Sequence, residues 1–148
     1  FEEIPVGQGR RLRQGEDVAI LSIGAIGTEA TKAVEALEQR GVSAAHYDMR
    51  FVKPLDHMLL HEVFTKFDKV ITLEDGCVQG GMGSAVTEWA MEHGYRAQVV
   101  RLGVPDRYIE HGTQAELYAE CGYDANAIVE KATEMAATQA TSEGMRIA

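Results

Sequence analysis

The chain has 148 residues, enough for one domain with a real core and too few for two ordinary ones. Apolar residues make up 45% of it and charged residues 25%, a globular mix that argues against disorder. The formal net charge of −9 excludes nucleic acid and anionic membrane as natural partners. No apolar run approaches the roughly 20 residues of a membrane span, and no secretory segment is visible.

The chain opens on Phe1 rather than Met, which reads as a processed chain, a single domain or a fragment. Residues 1–10, with Gly7, Gly9 and Arg10 and little core-forming character, read as an incoming linker from upstream domains. Residues 11–136 read as the folded domain, with a short edge strand at 11–14. The apolar run 18–23 has the character of a strand buried on both faces. Thr28 suits a helix cap, with Ala30, Ala33, Val34 and Leu37 on one face and Gly41 as the stop. A second strand follows at 44–50. Pro54 sits where a helix starts without cost, and Leu59, Leu60, Val63, Phe64 and Phe67 give that helix its apolar stripe. A third strand is expected at 70–73, and a helix at 80–94 with Met82, Ala85, Val86, Trp89 and Ala90 facing inward. A fourth strand at 97–102 and two helices at 113–121 and 124–135 close the domain. The small, polar stretch 137–148 reads as a frayed tail. Strands alternating with helices imply an α/β fold, a mostly parallel sheet covered on both faces.

Functional groups in such sheets collect beyond the carboxyl ends of the strands. Those ends hold the most distinctive stretches, with Asp48, Arg50, Lys53, Glu74, Asp75, Asp106 and His111 gathered on one edge. In the stretch 74–84, two carboxylates precede a turn with Gly80, Gly81 and Gly83, and a helix then opens beside Ser84. One reading is an anion site at the helix N-terminus. The other is a tight turn packed against a second domain, with Gly83 allowing close helix–sheet approach. No nucleotide fingerprint is present, and Glu74 and Asp75 repel a phosphate, so the turn is favoured. Arg50 and Lys53 suit a carboxylate or phosphate, or pair with Glu74 and Asp75; the pairing is favoured. His57 and His61 share a helix face at i, i+4 but lack a third ligand nearby in sequence, and read as surface histidines. His111 lies in a loop on the same edge, with no Ser, Cys or carboxylate partner specified by spacing. Cys77 and Cys121, with no CxxC, fit reduced thiols and a cytoplasmic setting.

Three stretches carry a resemblance. Asp48-x-Arg50-Phe51-x-Lys53-Pro54-Leu55-Asp56, then Glu74-Asp75-Gly76 through Gly80-Gly81-x-Gly83-Ser84, then Gly103-x-Pro105-Asp106-x-x-Ile109-x-His111-Gly112-Thr113 resemble, in that order, the 1-deoxy-D-xylulose 5-phosphate synthase family. The resemblance spans roughly residues 5–135, with Tyr108 where Phe is expected. It implies a C-terminal domain of the transketolase type: a three-layer α/β/α fold with a five-stranded mixed sheet whose first strand is antiparallel. It also implies a transferase that condenses pyruvate with glyceraldehyde 3-phosphate, using thiamine diphosphate and magnesium, in a homodimer. The family's cofactor and catalytic residues lie in upstream domains, so no catalytic, cofactor-binding or metal residue is carried over to this chain, and the fragment alone is expected to be inactive.

Two other readings stand beside this one. The first is a stand-alone regulatory module that binds a small anion at 80–84. The second is the corresponding domain of a 2-oxo-acid dehydrogenase β subunit, against which the stretch around His111 speaks.

Overall fold

Val18–Ile23 forms the central strand because its side chains find apolar partners on both sides of the sheet. The computed structural model describes residues 3–143. In chain order the elements are β1 (Arg10–Arg13), β2 (Val18–Ile23), α1 (Gly27–Gln39), β3 (Ala44–Asp48), α2 (His57–Lys66), β4 (Lys69–Cys77), α3 (Met82–Glu92), β5 (Gln98–Val104), α4 (Gln114–Cys121) and α5 (Ala125–Glu143). They build one five-stranded sheet in the order β1-β3-β2-β4-β5. β1 runs antiparallel to β3 and every other pairing is parallel. This is the mixed sheet that the family resemblance implies.

The two-residue period of a strand sorts side chains between two cores. Val18, Ile20, Ile71 and Leu73 face α1 and α5. Ala19, Leu21, Tyr47 and Val70 face α2 and α3. Ile20, Leu21, Ile71 and Leu73 are fully buried, each contributing on the order of 2 kcal/mol of transfer free energy. Ala30, Ala33, Val34 and Leu37 are the buried face of α1, and Leu59, Leu60, Val63 and Phe64 that of α2, as their spacing predicts.

Several boundaries differ from the sequence reading, each for a local reason. Ile26, not Thr28, occupies the N-cap of α1; the Thr28 hydroxyl instead donates to the Ala25 carbonyl at 3.0 Å. α2 starts at His57 rather than Pro54, because Asp56 is its cap: Oδ1 accepts from Leu59 N–H at 2.9 Å. The other Asp56 oxygen accepts from Gly9 N–H at 2.9 Å, so the entering segment is tied to the same residue. β3 stops at Asp48, since Arg50 sits in the left-handed region at φ 56°. β4 extends through Glu74 to Cys77. α5 continues through 137–143, the first part of the stretch expected to fray, and residues 144–148 lie outside the described residues. Among the described residues, no helix is long and apolar enough to cross a membrane.

Candidate functional site

Because β2, β3, β4 and β5 are parallel, their carboxyl ends share one edge, and the loops bearing the distinctive residues gather there. Glu74 and Asp75 are neighbours in sequence, but the pleat sends them to opposite faces of the sheet. Glu74 is buried against α3: its Oε2 accepts from Met82 N–H at 2.7 Å and its Oε1 from Gly83 N–H at 2.9 Å. The unpaired donors of the helix N-terminus, which attract anions, therefore hold a carboxylate of the chain itself. The turn is closed by the chain's own carboxylate. A Cβ on Gly81 would collide with Glu74 Oε2, and one on Gly83 would collide with Thr72 Oγ1. Gly80 adopts a positive φ of 76°.

Ser84 locks the turn. Its Oγ accepts from Gly80 N–H at 3.0 Å and from Arg101 Nη1 at 2.7 Å, and donates to the Val78 carbonyl at 2.9 Å. Arg101 Nη1 also donates to Val78 O at 3.0 Å. Sequence reasoning passed over Arg101, although a lone guanidinium inside the apolar run Val99-Val100-Arg101-Leu102 was a signal.

Asp75 works on the other face. Its Oδ2 accepts from the Tyr118 hydroxyl at 2.8 Å and its Oδ1 from the Tyr123 hydroxyl at 3.0 Å. Burial, then the hydrogen bond and charge of Asp75, push the Tyr118 hydroxyl up to about 12, and Tyr123 rises for the same reasons. These tyrosines, which flank the left-handed Gly122 that ends α4, were also missed. Val104, Ile109, Leu117 and Cys121 line a cleft of about 440 Å³ beside them.

The expected pairing of Arg50 or Lys53 with Glu74 or Asp75 does not occur. The sheet order places β2 between β3 and β4, so the two strand ends are not adjacent. Arg50 Nε instead faces Asp48 Oδ2 at 3.9 Å, and Lys53 is exposed. Asp106 and His111 stand exposed in the loop after β5, and among the described residues neither makes a side-chain hydrogen bond. That loop is anchored at its end by a capping box between Thr113 and Glu116.

A third histidine does join His57 and His61. His93 stacks on Trp89 with ring centroids 4.1 Å apart, and its ring centroid lies 5.2 Å from that of His61. Each imidazole spends its Nδ1 on a hydrogen bond. His57 Nδ1 accepts from Trp89 Nε1 at 2.8 Å, His61 Nδ1 bonds the Tyr95 hydroxyl at 2.7 Å, and His93 Nδ1 bonds the Trp89 carbonyl at 2.8 Å. Among the described residues, no group of three His, Cys, Asp or Glu is placed to hold a metal ion. His46 is buried inside the sheet with Nε2 2.8 Å from Ser22 Oγ, and burial pushes it down to about 4, against an opposing pull from Asp48. Cys77 and Cys121 are free thiols.

At this edge Glu74, Asp75, Ser84 and Arg101 are spent on shaping turns and seating helices. That fold and that edge define a class: the chain belongs to the transketolase C-terminal domain family, whose family model matches residues 7–128. Within that class it is similar to proteins named 1-deoxy-D-xylulose-5-phosphate synthase. The one from Cytophaga hutchinsonii is 57% identical over 128 residues, covering 86% of this chain and 20% of that protein. The one from Bacteroides thetaiotaomicron is 52% identical over 132 residues, covering 88% of this chain and 20% of that protein. The chain therefore spans about a fifth of the length of these relatives. A solved split-gene transketolase, described as an inactive β4 tetramer, matches with a TM-score of 0.84 and 33% identity, over 92% of this chain and 44% of that one. A Pichia stipitis transketolase mutant matches with a TM-score of 0.66 at 17% identity, over 89% of this chain and 18% of that one, a likeness of fold alone.

Proposed function

We propose that this chain is the C-terminal domain of a 1-deoxy-D-xylulose 5-phosphate synthase, a cytoplasmic transferase that joins pyruvate to glyceraldehyde 3-phosphate with loss of carbon dioxide. The observation that carries the reading is the 57% identity to a protein of that name across 86% of this chain. In this reading the chemistry is performed by thiamine diphosphate and magnesium on domains that precede this one, within a homodimer. The residues of this chain do not fit that cofactor. Glu74, the buried carboxylate among the described residues, is spent on the Met82 and Gly83 N–H groups, and both oxygens of Asp75 are spent on tyrosines. We therefore derive no catalytic step from these residues. The domain's task is to present the edge built by Asp48, Arg50, Lys53, the 80–84 turn and the Asp106–His111 loop to the preceding domains. The Glu74 carboxylate at the start of α3 disfavours a regulatory module that binds anions at 80–84.

The test is a chimera. The matching fifth of the Cytophaga hutchinsonii protein is replaced by this chain, and turnover of pyruvate and glyceraldehyde 3-phosphate is measured. The expected result is activity within about tenfold of the parent, a loss of no more than about 1.4 kcal/mol in transition-state stabilisation. A folded chimera that binds thiamine diphosphate like the parent yet turns over nothing would sink the proposal.

A further inference from the structure

Arg50 stands out among the charged groups of the molecule. Its side chain is only 19% exposed, yet its guanidinium makes no hydrogen bond among the described residues. Its nearest anion, Asp48 Oδ2, lies 3.9 Å from Nε, beyond hydrogen-bond reach. Asp48 is shared: Oδ2 also accepts from Arg10 Nε at 3.1 Å, and Oδ1 accepts from Arg50's own backbone N–H at 3.2 Å. A mostly buried guanidinium whose ion pair is stretched to 3.9 Å and whose five donors meet no hydrogen-bond acceptor has room for a further oxygen ligand. The backbone at Arg50 is strained as well, since a side chain of this size is rarely held at φ 56°. The guanidinium is not sealed: Thr72 Oγ1 is the fully enclosed side-chain polar atom without a partner among the described residues. Arg50 opens instead into a pocket of about 450 Å³, walled by Ile4, Gly24 and Phe51 and flanked by Arg10.

We propose that this pocket binds the oxyanion head of a small organic molecule, a carboxylate or a phosphate monoester, on the Arg50 guanidinium. A planar guanidinium with free donors matches two oxygens at once. Two arginines against one carboxylate leave the pocket with a positive balance inside a chain of net charge −9. Phe51 and Ile4 supply apolar walls for the body of the ligand. The volume suits a small molecule. The site is distinct from the 80–84 turn, where Glu74 takes the anion's place.

The experiment titrates the 148-residue chain with sodium phosphate and, separately, with sodium acetate, at ionic strength held constant with chloride. Amide signals of Gly24 and Phe51 and the Arg50 Nε–H signal are followed by NMR. The expected result is saturable movement of these signals with at least one of the two anions; whichever saturates at lower concentration identifies the head group. Arg50→Gln is expected to weaken binding at least tenfold, Arg50→Lys to weaken it less, and Lys53→Gln to leave it within about twofold, because a lone exposed charge contributes little. If Arg50→Gln fails to fold, the Lys variant carries the comparison. Shifts that never saturate, that chloride reproduces, or that survive Arg50→Gln or Arg50→Lys unchanged would overturn the proposal. So would a structure of a longer chain with a protein carboxylate seated on Arg50.

Discussion

His46 and Glu74 show how single buried polar groups set the chemistry of this fold. His46 is enclosed in the sheet and held near 4, against an ordinary 6.5. Between those two values the unfolded chain takes up a proton that the folded chain refuses, so stability falls as pH drops from 6.5 to 4 and is fully present above that window. The displacement corresponds to about 3 kcal/mol. Urea denaturation across the window should show that loss in the parent chain, with a flatter dependence in His46→Gln; parallel curves would count against it. Glu29, drawn down by Lys32 and the Ala125 N–H, loses stability in the same direction at lower pH, and the comparison of variants cancels its contribution. Glu74 is a buried charge satisfied by two backbone donors. Glu74→Ala strands both donors and is expected to cost about 3 kcal/mol, whereas Glu74→Gln keeps one acceptor oxygen and costs about half as much. Equal stability of all three proteins in urea would refute the capping role.

At the scale of elements, α3 is the most tightly specified. Its start is held by Glu74, its turn by Ser84 and Arg101, and its approach to the sheet by Gly83. An alanine at 83 would drive its Cβ into Thr72 Oγ1 and press Arg101 Cγ at 3.0 Å, so α3 must lift from the sheet. We expect Gly83→Ala to cost about 2 kcal/mol, as overpacking does. Adding Thr72→Ala should recover about half, since the two sites touch. Thermal unfolding of the single and double variants measures this, and strict additivity would show that the collision is not the cause. Asp75 fastens α4 in a different way, through two tyrosine hydroxyls from opposite sides of Gly122. The adjacent carboxylates thus hold helices on opposite faces of one sheet.

For the whole molecule, an edge whose carboxylates Glu74 and Asp75 are both spent on structure predicts a protein that does not act alone. Isothermal titration of this chain with thiamine diphosphate and magnesium is expected to give no one-site isotherm, because a divalent metal needs a cluster of oxygen ligands and none is placed among the described residues. A clear isotherm would overturn the view that the cofactor is held elsewhere.

The sequence by itself determined the order and type of the elements, the central buried strands and the edge where the loops meet. The reason is that apolar periodicity and glycine positions are local, and parallel crossovers bring strand ends together whatever the strand order. Gly83 as a packing glycine was legible for the same reason. Only the tertiary structure decided which charges meet. Arg50 could not reach Glu74 once β2 lay between their strands, Glu74 and Asp75 parted because the pleat sends neighbours to opposite faces, and Arg101, Tyr118 and Tyr123 became partners of this edge only through contacts 17 to 48 residues apart in the chain.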